Sequence, residues 1–202
     1  CKTVFETKKK IVYPTSWPRP LYDFDSNPLT KETIELGRKF FNEPLLSKDN
    51  TISCNSCHIA SAGFSDIGHA FSIGINDSIG DRNSPALINL AWASSFMWDG
   101  GVNHIEVQAL APLTHSAEMG ENLNHVITKL SQTKSYPGLF ERAFGTSEIT
   151  GEYLLKAIAQ FQLTLVSANS RYDKMIIGEE KFSLQEERGY LLFQESCTNC
   201  HA

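Results

Sequence analysis

Cys54-Asn55-Ser56-Cys57-His58 sets two thiols three positions apart, with a histidine directly after them. Thiols at that spacing can each add across a vinyl group of one haem, and the imidazole then faces the iron as its proximal ligand. Alone, the motif also fits a zinc or redox CxxC pair that happens to precede a histidine. Cys197-Thr198-Asn199-Cys200-His201 repeats it near the other end, in a chain with five Cys and six His among 202 residues. The repetition decides for two covalently attached c-type haems, with His58 and His201 as iron ligands.

A similar stretch precedes each motif. Leu29-Thr30, then Gly37, Arg38, Phe40 and Phe41 lead to the first; Phe182-Ser183, then Gly189, Leu192 and Phe193 lead to the second. Thr30 is an N-cap ahead of Glu32 and Glu35, and Ser183 with Glu186 forms a capping box. Each copy predicts a helix that delivers the chain to CxxCH, with a Gly where another helix can approach closely. The first copy holds nine more residues before its Cys pair, around Glu43-Pro44-Leu45-Leu46-Ser47.

Helical spacing of apolar residues recurs over 121–132, 136–144 and 149–167, the last carrying Leu154, Ile158, Phe161 and Leu165. Residues 59–101 are rich in Gly, Ser, Asn and Asp and predict a long ordered loop, a feature that in compact domains is usually functional. Strand alternation is weak throughout. The expected class is all-α: two cytochrome c-like haem domains with long loops, the second truncated in this chain. Residues 1–20, with Pro14, Pro18 and Pro20, are expected to form an extended leader, 21–170 the first domain, and 171–202 the start of the second.

A net charge of -5 argues against nucleic acid as a partner, and leaves room for an encounter with a basic electron donor. No run reaches the roughly 18 apolar residues of a membrane span; the most apolar stretch, 154–166, is broken by Lys156, Gln160 and Gln162. Four cysteines belong to the haem motifs, so no disulfide framework remains. The fifth is Cys1, followed by Lys2, Lys8, Lys9 and Lys10. This start reads as a processed bacterial lipoprotein with the lipid on Cys1 and attachment to the membrane; the alternative is a free thiol at a frayed end.

Further motifs occur in a fixed order: Leu36-Gly37-Arg38-Lys39-Phe40-Phe41, Thr51-Ile52-Ser53-Cys54, Gly63-Phe64-Ser65-Asp66, Arg82-Asn83-Ser84-Pro85-Ala86-Leu87-Ile88-Asn89, Phe96-Met97-Trp98-Asp99-Gly100, Gln108-Ala109-Leu110-Ala111-Pro112 and Glu118-Met119. With these the chain resembles the bacterial di-haem cytochrome c peroxidases over 36–202. The resemblance implies reduction of hydrogen peroxide to water, with electrons from a small cytochrome or copper protein. It implies that the haem of Cys54, Cys57 and His58 is peroxidatic and that of Cys197, Cys200 and His201 accepts electrons. Glu118 matches the acid–base residue, Gln108 a second polar group that orients peroxide, and Trp98 an aromatic residue between the haems. Asn83 matches a calcium ligand at the domain junction. A periplasmic location follows from c-type haem attachment in bacteria, and a homodimer is compatible with the family.

A Met is expected as the other axial ligand of the second haem, and no residue of this chain is assigned to it. A related di-haem oxidase that modifies a partner protein, with Tyr at that position, is one alternative. A pure electron-transfer cytochrome is another, against which Glu118 and Gln108 argue. His104 and His115 flank the active-site segment, and His125 is expected on a solvent-facing helix surface. Many of these peroxidases rest with a loop His capping the peroxidatic iron; here that position is Ile75, which cannot ligate, and the nearest substitute is His69. The expectation is a first haem that is open at rest.

Overall fold

The computed structural model describes residues 8–201, with only the backbone of His201. Cys1, the residue expected to carry a lipid, therefore lies outside the described residues. The chain divides between Val166 and Ser167 into two compact units, four residues before the expected boundary.

In the first unit, helix α1 (Lys31–Phe41) begins at Thr30, whose hydroxyl accepts from the Thr33 N–H at 3.1 Å. Glu32 in its first turn and Arg38 and Lys39 in its last complement the helix dipole. Its buried face of Leu36, Gly37, Phe40 and Phe41 lies on α7 (Gly151–Leu163), which is apolar on nearly every side and correspondingly buried from Leu154 onward. Gly37 makes this crossing possible: a Cβ there would stand 1.9 Å from the Ala157 carbonyl oxygen. Helices α5 (Leu123–Gln132) and α6 (Ser135–Phe144) close the core, in which Phe40 stacks on Tyr136 and Val126, Leu130, Phe140, Leu154 and Ile158 are fully enclosed. Helix α7 starts and ends inside its expected span because Thr150 caps it, through the Tyr153 N–H, and Thr164 closes it.

The short helices carry the site: α2 (Cys54–Cys57), α3 (Ile105–Gln108) and α4 (Leu110–Thr114). Between α2 and α3 the backbone is a chain of turns joined by isolated bridges at Ile59–Ser65, Ile73–Ile79 and Phe96–Val102, as the composition predicts. No β-strand occurs among the described residues.

Residues 8–20 form no helix and lie against the first unit. Tyr13 and Trp17 pack edge-on against Trp92, whose Nε1–H donates to the Pro18 carbonyl at 2.8 Å. Aromatic side chains within this stretch supply the apolar area that a free tether lacks.

The second unit holds α8 (Arg171–Ile176), α9 (Leu184–Ser196) and α10 (Thr198–His201). The Ser183–Glu186 capping box is formed as expected, and Arg171 pairs with Glu186 at 2.7 Å. Leu184, Leu191 and Leu192 of α9 are exposed among the described residues.

Candidate haem-binding cleft

Helix α2 is a single turn, so Cys54 and Cys57, three apart, share one face. Its start is fastened by the Ser53 N–H donating to the Ser56 hydroxyl at 3.0 Å. Burial pushes the Cys54 thiol up to about 12 and raises Cys57 as well, which favours the thiol form of each. His58 follows with its ring fixed: Nδ1–H donates to the Phe64 carbonyl at 2.8 Å, which leaves Nε2 with its lone pair. Burial lowers the proton affinity of this ring, against the pull of the Phe64 carbonyl, and favours the neutral form that can ligate iron. Phe64 reaches this position in a left-handed conformation (φ 59°), directly after Gly63 in the same conformation. Such a conformation is strained for a bulky residue and is held here by Phe41 and Phe161, against which the Phe64 ring packs.

Cys54, Cys57 and His58 open onto a cleft of about 560 Å³ with apolar walls that include Phe41, Ile73 and Leu87. Gln108 and Glu118 stand on the same walls, and both also line a wider, adjoining cleft of about 930 Å³. Two neutral thiols, one imidazole with a free Nε2 and apolar walls suit a covalently held haem. They do not suit a zinc site, and no cluster of three or more His, Cys, Asp or Glu side chains fit to hold a metal ion occurs among the described residues.

Gln108, at the end of α3, is 9% exposed. Its Oε1 accepts from Gln162 Nε2 at 3.4 Å, and its Nε2 donates to Met97 Sδ at 3.5 Å. Met97 is itself left-handed (φ 69°), a second strained residue at the cleft. Glu118 is held in a tight turn in which the Glu118 and Gly120 N–H groups both donate to the His115 carbonyl, at 3.0 and 2.9 Å. Burial raises the proton affinity of its carboxyl, Asp81 adds to this, and His115 opposes it. A carboxyl tuned upward beside an apolar cofactor cleft can take up and return a proton under mild conditions.

A family model described as di-haem cytochrome c peroxidase matches residues 31–181. The chain belongs to the di-haem cytochrome c peroxidase family. It is 36% identical over 199 residues to methylamine utilization protein MauG of Methylorubrum extorquens, covering 96% of this chain and 55% of the relative. To cytochrome c551 peroxidase of Nitrosomonas europaea it is 35% identical over 176 residues, covering 86% and 52%. Among solved structures, a MauG-like protein associated with microbial copper homeostasis superposes with a TM-score of 0.84 at 31% identity, over 93% of this chain and 56% of that one. The chain thus spans about half the length of these relatives. Family membership makes haem the implied cofactor.

Of the other residues expected to serve a di-haem peroxidase, Trp98 and Asn83 also line the wider cleft with His58, Gln108 and Glu118. Trp98 is 63% exposed, and its Nε1–H donates to the Asn83 carbonyl at 2.7 Å. Asn83 gives its side-chain NH₂ to the carbonyls of Asp66 and His69, at 3.0 and 2.8 Å. Arg82 and Asp99 close the same clamp with an ion pair at 3.0 Å. His104 is spent as the cap of α3 and His125 is bonded to Glu121 at 2.9 Å on an exposed surface. His69 bonds to the buried Asp66 at 3.0 Å, and Ile75 is buried with its N–H on the Glu118 carbonyl at 2.9 Å. Cys197 and Cys200 lie at the end of α9 and in α10 of the second unit.

Sequence reasoning passed over two residues. Gln162 appeared only as an interruption of an apolar helix, yet it is buried, lines the haem cleft and touches Gln108. A glutamine inside an otherwise apolar helix was the available signal, since a buried amide needs a partner. Asp81 gave no signal, because it meets Glu118 only through the fold.

Proposed function

We propose that the full-length protein containing this chain reduces hydrogen peroxide to water, with electrons from a small cytochrome or copper protein. The observation that carries this reading is Glu118, a carboxyl of raised proton affinity that shares a cleft with Gln108 and with the Cys54–Cys57–His58 motif. Cys54 and Cys57 would tether the first haem and His58 would ligate it; Cys197, Cys200 and His201 would hold the second. When bound, haem supplies the iron at which the O–O bond is cleaved and the path for electrons. Gln108 can orient peroxide by donating and accepting, without itself titrating. Glu118 takes a proton from one peroxide oxygen and hands it to the other, so that water departs. The apolar walls of the cleft keep bulk water away from that transfer.

A wire between redox proteins needs no acid–base group in its haem cleft, which disfavours the electron-transfer alternative. A related di-haem oxidase acting on a partner protein is the second reading. It is favoured by the similarity to MauG. Asn83 is proposed as the side-chain ligand of a calcium ion at the domain junction, and the periplasm as the location, both from family resemblance. A homodimer belongs to the same proposal.

Replacing Glu118 by Gln keeps the shape and removes the titratable group. Peroxide turnover by the full-length, haem-loaded protein should fall about 10²- to 10⁴-fold. A loss below about fivefold with both haems in place would show that Glu118 has another role.

A further inference from the structure

Reduction of hydrogen peroxide to two waters consumes two protons along with two electrons. Glu118 moving a proton between the two peroxide oxygens leaves that balance unchanged, so the consumed protons must come from solvent. The Glu118 side chain is only 34% exposed and loses its solvation as it is buried. A proton donor on its solvent side would speed that supply.

His115 stands in the right place. Its ring is 54% exposed, its Nδ1 lies 3.7 Å from Glu118 Oε1, and it lines the wider cleft but not the apolar haem cleft. The two side chains are three positions apart on one turn, and the His115 carbonyl accepts from both Glu118 and Gly120. The backbone between them is therefore fixed, and only side-chain torsions are left to vary. A separation of 3.7 Å exceeds a hydrogen bond. A small rotation of the ring, or one bridging water, closes it, and such contacts commonly tighten only with substrate bound. The charged groups that share this wider cleft are Asp81, Arg82 and Asp99. Arg82 and Asp99 are paired with each other, while Asp81 adds to the proton affinity of Glu118.

We infer that His115 is the proton-delivery residue of this site, acting through Glu118 and resting on the peroxidase reading above. Protonated His115 passes the proton on Nδ1 to the Glu118 carboxylate, becomes neutral, and is recharged from water or buffer. No other bond forms or breaks and no electron moves. Imidazole suits the task because it exchanges protons near neutral pH.

The test uses full-length, haem-loaded protein: wild type, H115A, H115N and E118Q. Turnover is followed against buffer concentration at constant pH and ionic strength, with buffer acids too bulky to reach the haem. Wild type should be indifferent to buffer. H115A and H115N should be slowed about tenfold or more, and recover in proportion to buffer acid. E118Q should be slow and beyond rescue. A second readout needs no turnover: the Glu118 carboxylate band is titrated by infrared difference spectroscopy. Wild type should show a carboxyl titration shifted upward from the ordinary carboxyl value. H115A should shift the carboxyl further upward, as expected when a neighbouring group that lowers it is removed. Slowing without buffer rescue, or a carboxyl titration that ignores His115, overturns the relay. So does wild-type turnover in both His115 variants. Absence of peroxide turnover in wild type sinks the peroxidase reading instead, a result distinguishable from all of these.

Discussion

A carboxyl needs only to lose its water to change its chemistry, and Glu118 does so without leaving the cleft wall. Burial raises its proton affinity, Asp81 adds to this, and the neighbouring His115 holds the rise in check. The sign of the consequence follows. As proton acceptor Glu118 must be ionised, so turnover should fall as pH drops through a value above the ordinary carboxyl value of 4.5. A pH profile of kcat/KM in wild type and E118Q checks this. The acidic limb should be present in the first and absent in the second; a limb that lies below 4.5, or survives in E118Q, would assign it elsewhere. Residues of this kind are unequally legible. Cys54, Cys57 and His58 announce themselves because haem attachment demands a contiguous spacing. The His115–Glu118 pair is readable in principle from its separation of three. Gln162 on Gln108 is not, since 54 positions separate them and only the crossing of α3 and α7 brings them together.

At the scale of elements, caps and apolar faces carry over well from the sequence. Thr30 and Ser183 each cap the helix that follows, and Gly37 lies where α1 meets α7. The long loop resists such reading, because its path depends on left-handed Phe64, Asn76 and Met97 and on clamps such as Trp98 to Asn83. Within it, the stretch around Ile75 is pinned. A Cβ at Gly74 would stand 2.1 Å from the Ala117 carbonyl, and the Ile75 N–H holds the Glu118 carbonyl. His69 is equally committed. Burial of Asp66 works against its charge, but His69 and the Gly68 N–H hold its carboxyl below the usual range. Drawing His69 over the cleft would strip that buried carboxylate of a partner, at a cost on the order of 1–3 kcal/mol. The first haem of the oxidised full-length protein should therefore carry no second histidine. Electron paramagnetic resonance should show a five-coordinate or water-bound signal for it. A low-spin bis-histidine signal that H69A abolishes would make His69 the cap after all.

At the scale of the whole molecule, each of the two units carries one CxxCH, but they are unequal. The first has its own core around Phe40, Tyr136 and Leu154, and a second cluster of Phe41, Leu87 and Phe161 directly behind Cys54. In the second, the counterpart of Gly37 is Gly189, and a Cβ there would meet nothing within 4 Å among the described residues. The likeness of the two leading helices was legible because local capping and the motif itself are local. What covers α9 was not, because a helix face names no partner. The make-up of the first cleft predicts how the full-length protein loads haem. The first cleft draws its thiols, its imidazole and its apolar walls from residues 41–162, so its haem should attach whatever happens at the second motif. In a host competent for c-type maturation, intact mass of wild type should exceed that of the bare chain by two haems. The double substitution C197A/C200A should leave a gain of one, with the haem on the peptide bearing Cys54 and Cys57. The converse, C54A/C57A, removes the cofactor from a cleft whose Phe41 and Leu87 then face empty space, and should lower the yield of folded protein as well as the haem count. Loss of both haems in C197A/C200A would show instead that the first unit cannot form its cleft without the second.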